Sequence, residues 1–194
     1  MLSSSSSVLP RSLSIAFLAL LAFLHASPVQ ADGDGQQGRQ AEGPAEHLLC
    51  GLDVYRSTLT QAITLFGQPA TLKEMPGEGG DPAKSYATWE RDGMRMGVWT
   101  SLRRDREKAI NTIDVWGSSS MGLLGASGRG LRLGGTLDQQ KTIYGNRFYT
   151  NATYGSDPNK VESVLLEWHD GTQLVVDYDA GGRISHMQLN AVAQ

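Results

Sequence analysis

Two stretches of this chain carry almost the same message. "RSTLTQAITLFG", Arg56 to Gly67, and "GGTLDQQKTIYG", Gly134 to Gly145, place Thr58 and Thr136 in equivalent positions 78 residues apart. Thr, Leu, Gln, Thr and Gly recur in register, and Leu65-Phe66 is answered by Ile143-Tyr144. The correspondence extends outward. Gly51-Leu52 matches Gly130-Leu131, Trp89 matches Trp168, Asp92-Gly93 matches Asp170-Gly171, and "INTIDVW" from Ile110 matches "ISHMQLN" from Ile184. Self-similarity at a nearly fixed spacing is the signature of an internal duplication, and it restricts each half to one supersecondary unit.

Local chemistry says what that unit is. Thr58 and Thr136 suit an N-cap, where a hydroxyl accepts from the free N–H groups of a first helical turn. Gly67 and Gly145 stand where a left-handed residue ends a helix. Leu59, Ala62, Ile63 and Phe66 fall at helical spacing between the caps, as do Leu137, Ile143 and Tyr144. Each half therefore opens with a short helix, and three or four strands follow.

The hairpins can be read in detail. "WERDGMRM" offers Asp92-Gly93 as a two-residue turn. That register sets Trp89 opposite Met96, Glu90 opposite Arg95 and Tyr86 opposite Trp99. Ala87, Trp89, Met96 and Val98 then share a core face, while Tyr86, Thr88, Glu90, Arg95 and Trp99 share the other. "EWHDGTQL" is one residue shorter, and a three-residue loop, His169-Asp170-Gly171, restores a core face of Val164, Leu166, Trp168, Leu174 and Val176. In the last strand of the first half, Ile113 and Val115 match Met187 and Leu189 on the core side. Asp114 and Trp116 therefore point outward.

The N-terminus reads as an export signal. Arg11 is the only charged residue before Asp32, the apolar run "IAFLALLAFL" follows, and "VQA", Val29 to Ala31, supplies a small-x-small cleavage pattern. An uncleaved anchor is the alternative reading. The resulting division is a signal peptide over 1–31, a flexible tether over 32–46, repeat module 1 over 47–117, a Gly/Ser-rich joint over 118–129 and repeat module 2 over 130–194. The formal net charge of −3 becomes −4 when the signal, with one Arg and no acid, is removed. Mild acidity without a basic block argues against a nucleic-acid partner, and no later stretch is long enough to span a membrane. The single cysteine, Cys50, excludes an internal disulfide and reads as a small buried hydrophobe.

"GLRLGGTLDQQKTIYG", Gly130 to Gly145, followed by a Trp-bearing hairpin and a last strand, resembles a superfamily of small exported modules. It includes the SmpA/OmlA-type assembly lipoproteins and the β-lactamase-inhibitory-protein (BLIP-like) family. The resemblance covers roughly Gly51 to Ala193. It implies a short helix followed by an antiparallel meander and, in the inhibitory family, two copies whose long sheet holds the partner on its concave face. This chain departs from the pattern at Tyr55-Arg56, which stand where the second half has Leu133-Gly134. It also lacks the inhibitory family's disulfides and the lipoproteins' cysteine near the cleavage site.

Catalytic and metal constellations are not evident. "GASGRG", Gly125 to Gly130, has the wrong spacing for a nucleophile elbow. His169, Asp177 and His186 are too far apart in the expected registers to share an ion, with His186 beside Val176, and read as solvated surface residues. "RRDREK", Arg103 to Lys108, reads as a solvated hairpin tip.

The fold class expected is thus α+β: two tandem modules, each a short helix and an antiparallel meander, with the helices on one face of a shared or paired sheet. The function expected is that of an exported, periplasmic or secreted, non-enzymatic binding module without a cofactor or metal. It would contact a protein or cell-envelope ligand through the open sheet face. The candidate partner-binding residues are Tyr86, Glu90, Arg95, Trp99, Asp114 and Trp116, chosen because Trp, Tyr and Arg dominate interface energetics. Trp99 and Trp116 have no aromatic counterpart in the second half, as core positions would require. A small secreted hydrolase with an unrecognised site, or a structural envelope component, are the alternatives.

Overall fold

The structure is a computed structural model in which residues 43–77, 83–102, 108–145, 152–154 and 160–191 are described. The signal-peptide segment, residues 32–42 of the expected tether and residues 103–107 of the charged run lie outside them.

The first element among the described residues is a minimal hairpin, β1 (Leu48–Leu49) and β2 (Leu52–Asp53), joined by Cys50 and Gly51 at φ 56° and 76°. Both angles are positive, as a two-residue primed turn demands. Cys50 adopts this conformation while fully buried, and its sulfur accepts from the Gly125 amide at 3.3 Å. Burial pushes the thiol up to about 11, against the amide hydrogen bonds from Gly125 and Ala126. It is an inert packing group at neutral pH.

Helix α1 (Leu59–Phe66) and helix α2 (Leu137–Tyr144) start at the expected threonines, and each carries a full capping box. Gln61 N–H donates to Thr58 Oγ1 and Thr58 N–H donates to Gln61 Oε1; Gln139 and Thr136 repeat the arrangement. Gly67 and Gly145 end the helices at φ 81° and 85°, but with ψ near ±170°. They occupy the extended positive-φ region rather than the left-handed helical one expected, a region essentially restricted to glycine.

The remaining strands are β3 (Thr71–Met75), β4 (Lys84–Arg91), β5 (Met94–Leu102), β6 (Lys108–Trp116), β7 (Ala152–Tyr154), β8 (Val161–Glu167), β9 (Thr172–Tyr178) and β10 (Ile184–Ala191). They form one antiparallel sheet in the order β3-β4-β5-β6-β10-β9-β8-β7. Both hairpin registers are those read from the sequence. Asp92 (φ 51°) and Gly93 (φ 77°) turn the first, with Glu90 opposite Arg95, and Glu167 faces Gln173 across the three-residue loop of the second.

The expected fold class is corrected by this topology. Among the described residues the fold is mostly β: a continuous eight-stranded sheet and a two-stranded hairpin, with two helices of eight residues each, in place of an α+β pair of tandem helix-and-meander modules. The reason is one of dimensions. An eight-residue helix is about 12 Å long, whereas eight strands span roughly 35 Å. The two helices cover only part of one sheet face.

The β1–β2 hairpin and segments without regular structure complete the cover. Leu49, Leu52, Val54, Leu131 and Leu133 join Leu59, Ala62 and Tyr144 against the inward side chains of the sheet. Phe66 packs edge-on to Trp89 and Tyr144 edge-on to Trp168, so each helix end seats an aromatic ring on a hairpin tryptophan. Trp89 Nε1 also donates to the Gly67 carbonyl at 2.8 Å, which ties the first hairpin to the end of α1.

Glu46 corrects the expected end of the tether. It is 2 % exposed. Its carboxylate accepts from Tyr144 Oη at 2.7 Å, from the Arg129 amide at 3.0 Å and from the Leu48 amide at 3.2 Å. Tyr144 Oη also lies 2.9 Å from Ser127 Oγ, and the Arg129 guanidinium sits over the Tyr144 ring. Burial, followed by the Glu46 charge, raises the Tyr144 hydroxyl far above its ordinary value. This node joins the N-terminal segment, the Gly/Ser-rich stretch and α2. A buried carboxylate is tolerated there because its acceptors are satisfied.

Two stability outcomes follow from this packing. Trp89→Ala and Trp168→Ala are each expected to cost about 3–5 kcal/mol, measured by urea unfolding. Glu46→Ala is expected to cost about 1–3 kcal/mol, because it strips partners from buried donors. A Glu46 variant with an unchanged urea midpoint would return this residue to the tether.

Candidate functional site

The sheet face turned away from the helices is built from three cross-strand rows, each set by backbone register. The first runs Glu90, Arg95, Trp116, His186, Asp177, Ser163 across β4, β5, β6, β10, β9 and β8. The second runs Thr88, Gly97, Asp114, Gln188, Val175, Leu165. The third runs Tyr86, Trp99, Thr112, Asn190, Gln173, Glu167.

The first row is a stack. The His186 ring lies parallel to Trp116, with centroids 4.8 Å apart and planes within 9°. The Arg95 guanidinium lies 5.7 Å from the Trp116 ring centroid. Adjacent strands bring side chains this close when they stand upright on the pleat. His186 Nδ1 and Asp177 Oδ2 are 2.6 Å apart, and His186 Nε2 lies 3.7 Å from Asp114 Oδ1, beyond hydrogen-bond length. Burial works to lower the imidazole pKa, but Asp114 and Asp177 outweigh it and hold the group up to about 9. For Asp177, burial works upward, and the bonds from His186 and Ser163 overcome it to leave the carboxyl below its ordinary value. At neutral pH His186 is an imidazolium flanked by the side chains of Asp177 and Asp114.

The second row is the support. The Asp114 side chain is only 4 % exposed, and Gln188 Nε2 donates to its Oδ1 at 2.6 Å. A Cβ at Gly97 would lie 2.8 Å from Tyr86 Oη, so a larger residue there would displace the phenol. The phenol of Tyr86 leans across the gap left by the glycine. Its hydroxyl pKa is raised, chiefly by burial, with Arg95 opposing and Asp114 adding. In the third row Tyr86 and Trp99 are 4.4 Å apart between centroids, tilted by 32°.

The six sequence-chosen residues are thus distributed unevenly. Arg95 lies over the Trp116 ring and beside the Tyr86 hydroxyl, and Glu90 is exposed at the end of the first row. Trp99 lies toward the other end of the strands. It is opposite Thr112, four residues along β6 from Trp116, or about 13 Å. Trp99 and Trp116 are half-buried, each with one ring face covered by an aromatic neighbour. Asp114 is corrected outright: its position points to this face, but its carboxylate is buried beneath Gln188 and His186 and braces them.

His186 and Asp177 are corrected as well. They were expected to be solvated, with His186 beside Val176. A bulge between Ile184 and His186 shifts the register, so His186 faces Asp177 and Met187 faces Val176. Sequence alternation already places His186, Gln188 and Asn190 on the outward side of Met187 and Leu189. The bulge that sets their partners has no comparable sequence mark.

His169 does not belong to this cluster. It is exposed in the β8–β9 turn, where neighbouring Asp170 pairs instead with His47 at 2.6 Å. Among the described residues, no group of three His, Cys, Asp or Glu side chains is arranged to hold a metal ion, and no helix is long and apolar enough to cross a membrane.

No family model and no curated protein matches the chain. Among solved structures, the chain is similar to the crystal structure of YjgB, a DUF4309 family protein from Bacillus subtilis subsp. subtilis str. 168. The identity is 20 %, over 73 % of this chain and 83 % of that one, with a TM-score of 0.38.

The His186 pairing has a definite pH signature. Its folded pKa is raised from 6.5 to about 9. The stabilisation is therefore complete below pH 6.5 and is lost as pH rises through 9. Asp177 works in the opposite direction: its contribution is present above its ordinary pKa and is lost as acid protonates it. Between pH 7 and pH 10 the urea midpoint of the wild type should fall more than that of His186→Gln. An NMR titration of the His186 ring centred near 6.5 would contradict the assignment.

Proposed function

We propose that the protein is an exported, non-enzymatic binding module that contacts a protein or cell-envelope ligand through the face of the sheet opposite the helices. The observation that carries this reading is the contrast between the two faces. One is filled with buried apolar side chains from helices, loops and strands. The other presents half-buried Tyr86, Trp99 and Trp116 and exposed Arg95 on β4, β5 and β6, with Trp99 stacked on Tyr86 and Trp116 held between Arg95 and His186. Side chains already fixed in place lose little conformational entropy on binding.

The histidine chemistry supports a binder over a hydrolase. A general base needs an imidazole nitrogen free to accept a proton near neutral pH. Both nitrogens of His186 face carboxylates, and the ring keeps its proton to about pH 9. Ser163 bonds to Asp177 rather than to the imidazole, so the order of a nucleophilic triad is not met. The charged, apolar and small-x-small pattern of the N-terminus supports export.

The test is capture from the envelope extract of the host. Arg95→Ala and Trp99→Ala should each weaken retention by about 30-fold or more, as truncation of an interface anchor does, with circular dichroism unchanged. Equal retention by wild type and both variants would place the binding surface elsewhere. Turnover in a hydrolase screen that survives both substitutions would favour an enzyme.

A further inference from the structure

At the Trp99 end of the same face the sheet holds an open cavity of about 320 Å³, lined by Lys84, Trp99, Thr100, Asn111, Thr112, Gln188 and Asn190. Its size lies at the lower end of the range for small-molecule sites, about 300–1,000 Å³. A bulge shapes it. Trp99 pairs with Thr112 while Thr100 pairs with Ile110, which leaves Asn111 as the extra residue. Both Asn111 and Thr112 consequently line the cavity, where strict alternation would have turned Asn111 to the other face.

The polar groups are oriented from below. A carboxylate only accepts hydrogen bonds. Gln188 must therefore turn its amide nitrogen toward Asp114, 2.6 Å away, and its carbonyl toward Asn190. Asn190 Nδ2 donates to that carbonyl at 3.2 Å. The chain Asp114–Gln188–Asn190 thereby fixes both amides. It leaves Asn190 Oδ1 as an acceptor and its second N–H as a donor, neither engaged among the described residues. Thr112 adds a hydroxyl and Asn111 an amide oxygen. Trp99 forms one wall; Tyr86 backs the indole on one side.

We infer that this cavity is a carbohydrate subsite that seats one hexose unit of a neutral or N-acetylated glycan, with Trp99 as the stacking wall and Asn190, Asn111 and Thr112 as hydroxyl partners. This rests on the reading of the face as a binding surface and names its ligand. The chemistry favours a sugar over other ligands. A pyranose offers an apolar C–H face to a ring and hydroxyls that both donate and accept, and this lining offers one ring among amides and a hydroxyl. Among the described residues, Lys84 is the only charged one in the lining, too little for a phosphate-bearing chain. Among the described lining residues, Trp99 is the only large apolar surface, too little for an apolar peptide anchor. The opening to solvent leaves room for neighbouring sugar units.

The experiment is an NMR titration of ¹⁵N-labelled full-length protein with cellohexaose and, separately, with the hexasaccharide of N-acetylglucosamine. The Asn190 side-chain amide and the Trp99 indole N–H should shift with at least one of the two. Trp99→Ala and Asn190→Ala should each weaken that binding about tenfold or more, and Trp99→Phe should retain part of it. Because Asn190 is a polar surface residue, its variant decides the matter if Trp99→Ala unfolds. Absence of these shifts with both glycans, or affinity unchanged in Asn190→Ala, overturns the sugar assignment. Should the glycans fail while Trp99→Ala still loses its envelope partner, the ligand is of another kind and only this inference falls. Should capture also be unaffected, the reading of the whole face falls with it.

Discussion

The antiparallel pairing of β6 with β10 is the constraint on which the rest of the structure depends. It joins Thr112–Trp116 to His186–Asn190 at the middle of the sheet. On one side it buries Ile113, Val115, Met187 and Leu189, all essentially without solvent contact. On the other it places Trp116 beside His186, Asp114 beside Gln188 and Thr112 beside Asn190. Because side chains alternate with period two, a slip of one residue would expose the apolar set and bury a charged one. The core therefore enforces the register, and the register assembles the outward-facing groups. Stability and candidate function are linked at this seam.

Asp114 shows how the link operates. A carboxylate at the centre of a sheet is costly unless its neighbours answer it. Gln188 answers it with a hydrogen bond and is thereby turned toward Asn190, while the His186 imidazolium, 3.7 Å away and stacked on Trp116, adds a charge interaction. One buried charge thus orients the polar side of the Trp99 cavity and lies beside the Arg95–Trp116–His186 stack, whose imidazole is held by Asp177. The two regions lie on one face but differ in chemistry. The stack is internally compensated, with cations and carboxylates interleaved, whereas the cavity leaves amide and hydroxyl groups uncommitted.

Much of the local structure was legible in the residues. Thr58 and Thr136 cap helices because a hydroxyl three residues before an amide can reach it. Asp92-Gly93 and His169-Asp170-Gly171 make the turns that their composition requires. The rows Tyr86–Trp99 and Glu90–Arg95 follow from counting back from those turns. The outward set of the candidate site, except for its burial, follows from alternation alone. The fold class did not follow, because two short periodic helices weigh as much in a sequence reading as the strands do. In space they cover only a fraction of one face. Glu46 was unreadable for a related reason: a glutamate in a Gly- and Gln-rich stretch looks solvated until Tyr144, 98 residues away, brings a hydroxyl to it.

Local sequence chemistry thus determined the caps, the turns, the hairpin registers and which residues point outward, since each depends on neighbours a few bonds away. Tertiary structure decided what those outward residues meet. Two bulges, at Ser185 and at Asn111, reset the pairing by one residue. They brought His186 to Asp177 and turned Asn111 into the cavity beside Thr112. A bulge is settled by the best fit of two long strands and the packing beneath them, and no short stretch of chain contains that information. The burial of Asp114, and with it the orientation of every group it holds, was likewise fixed only when β6 and β10 closed on each other.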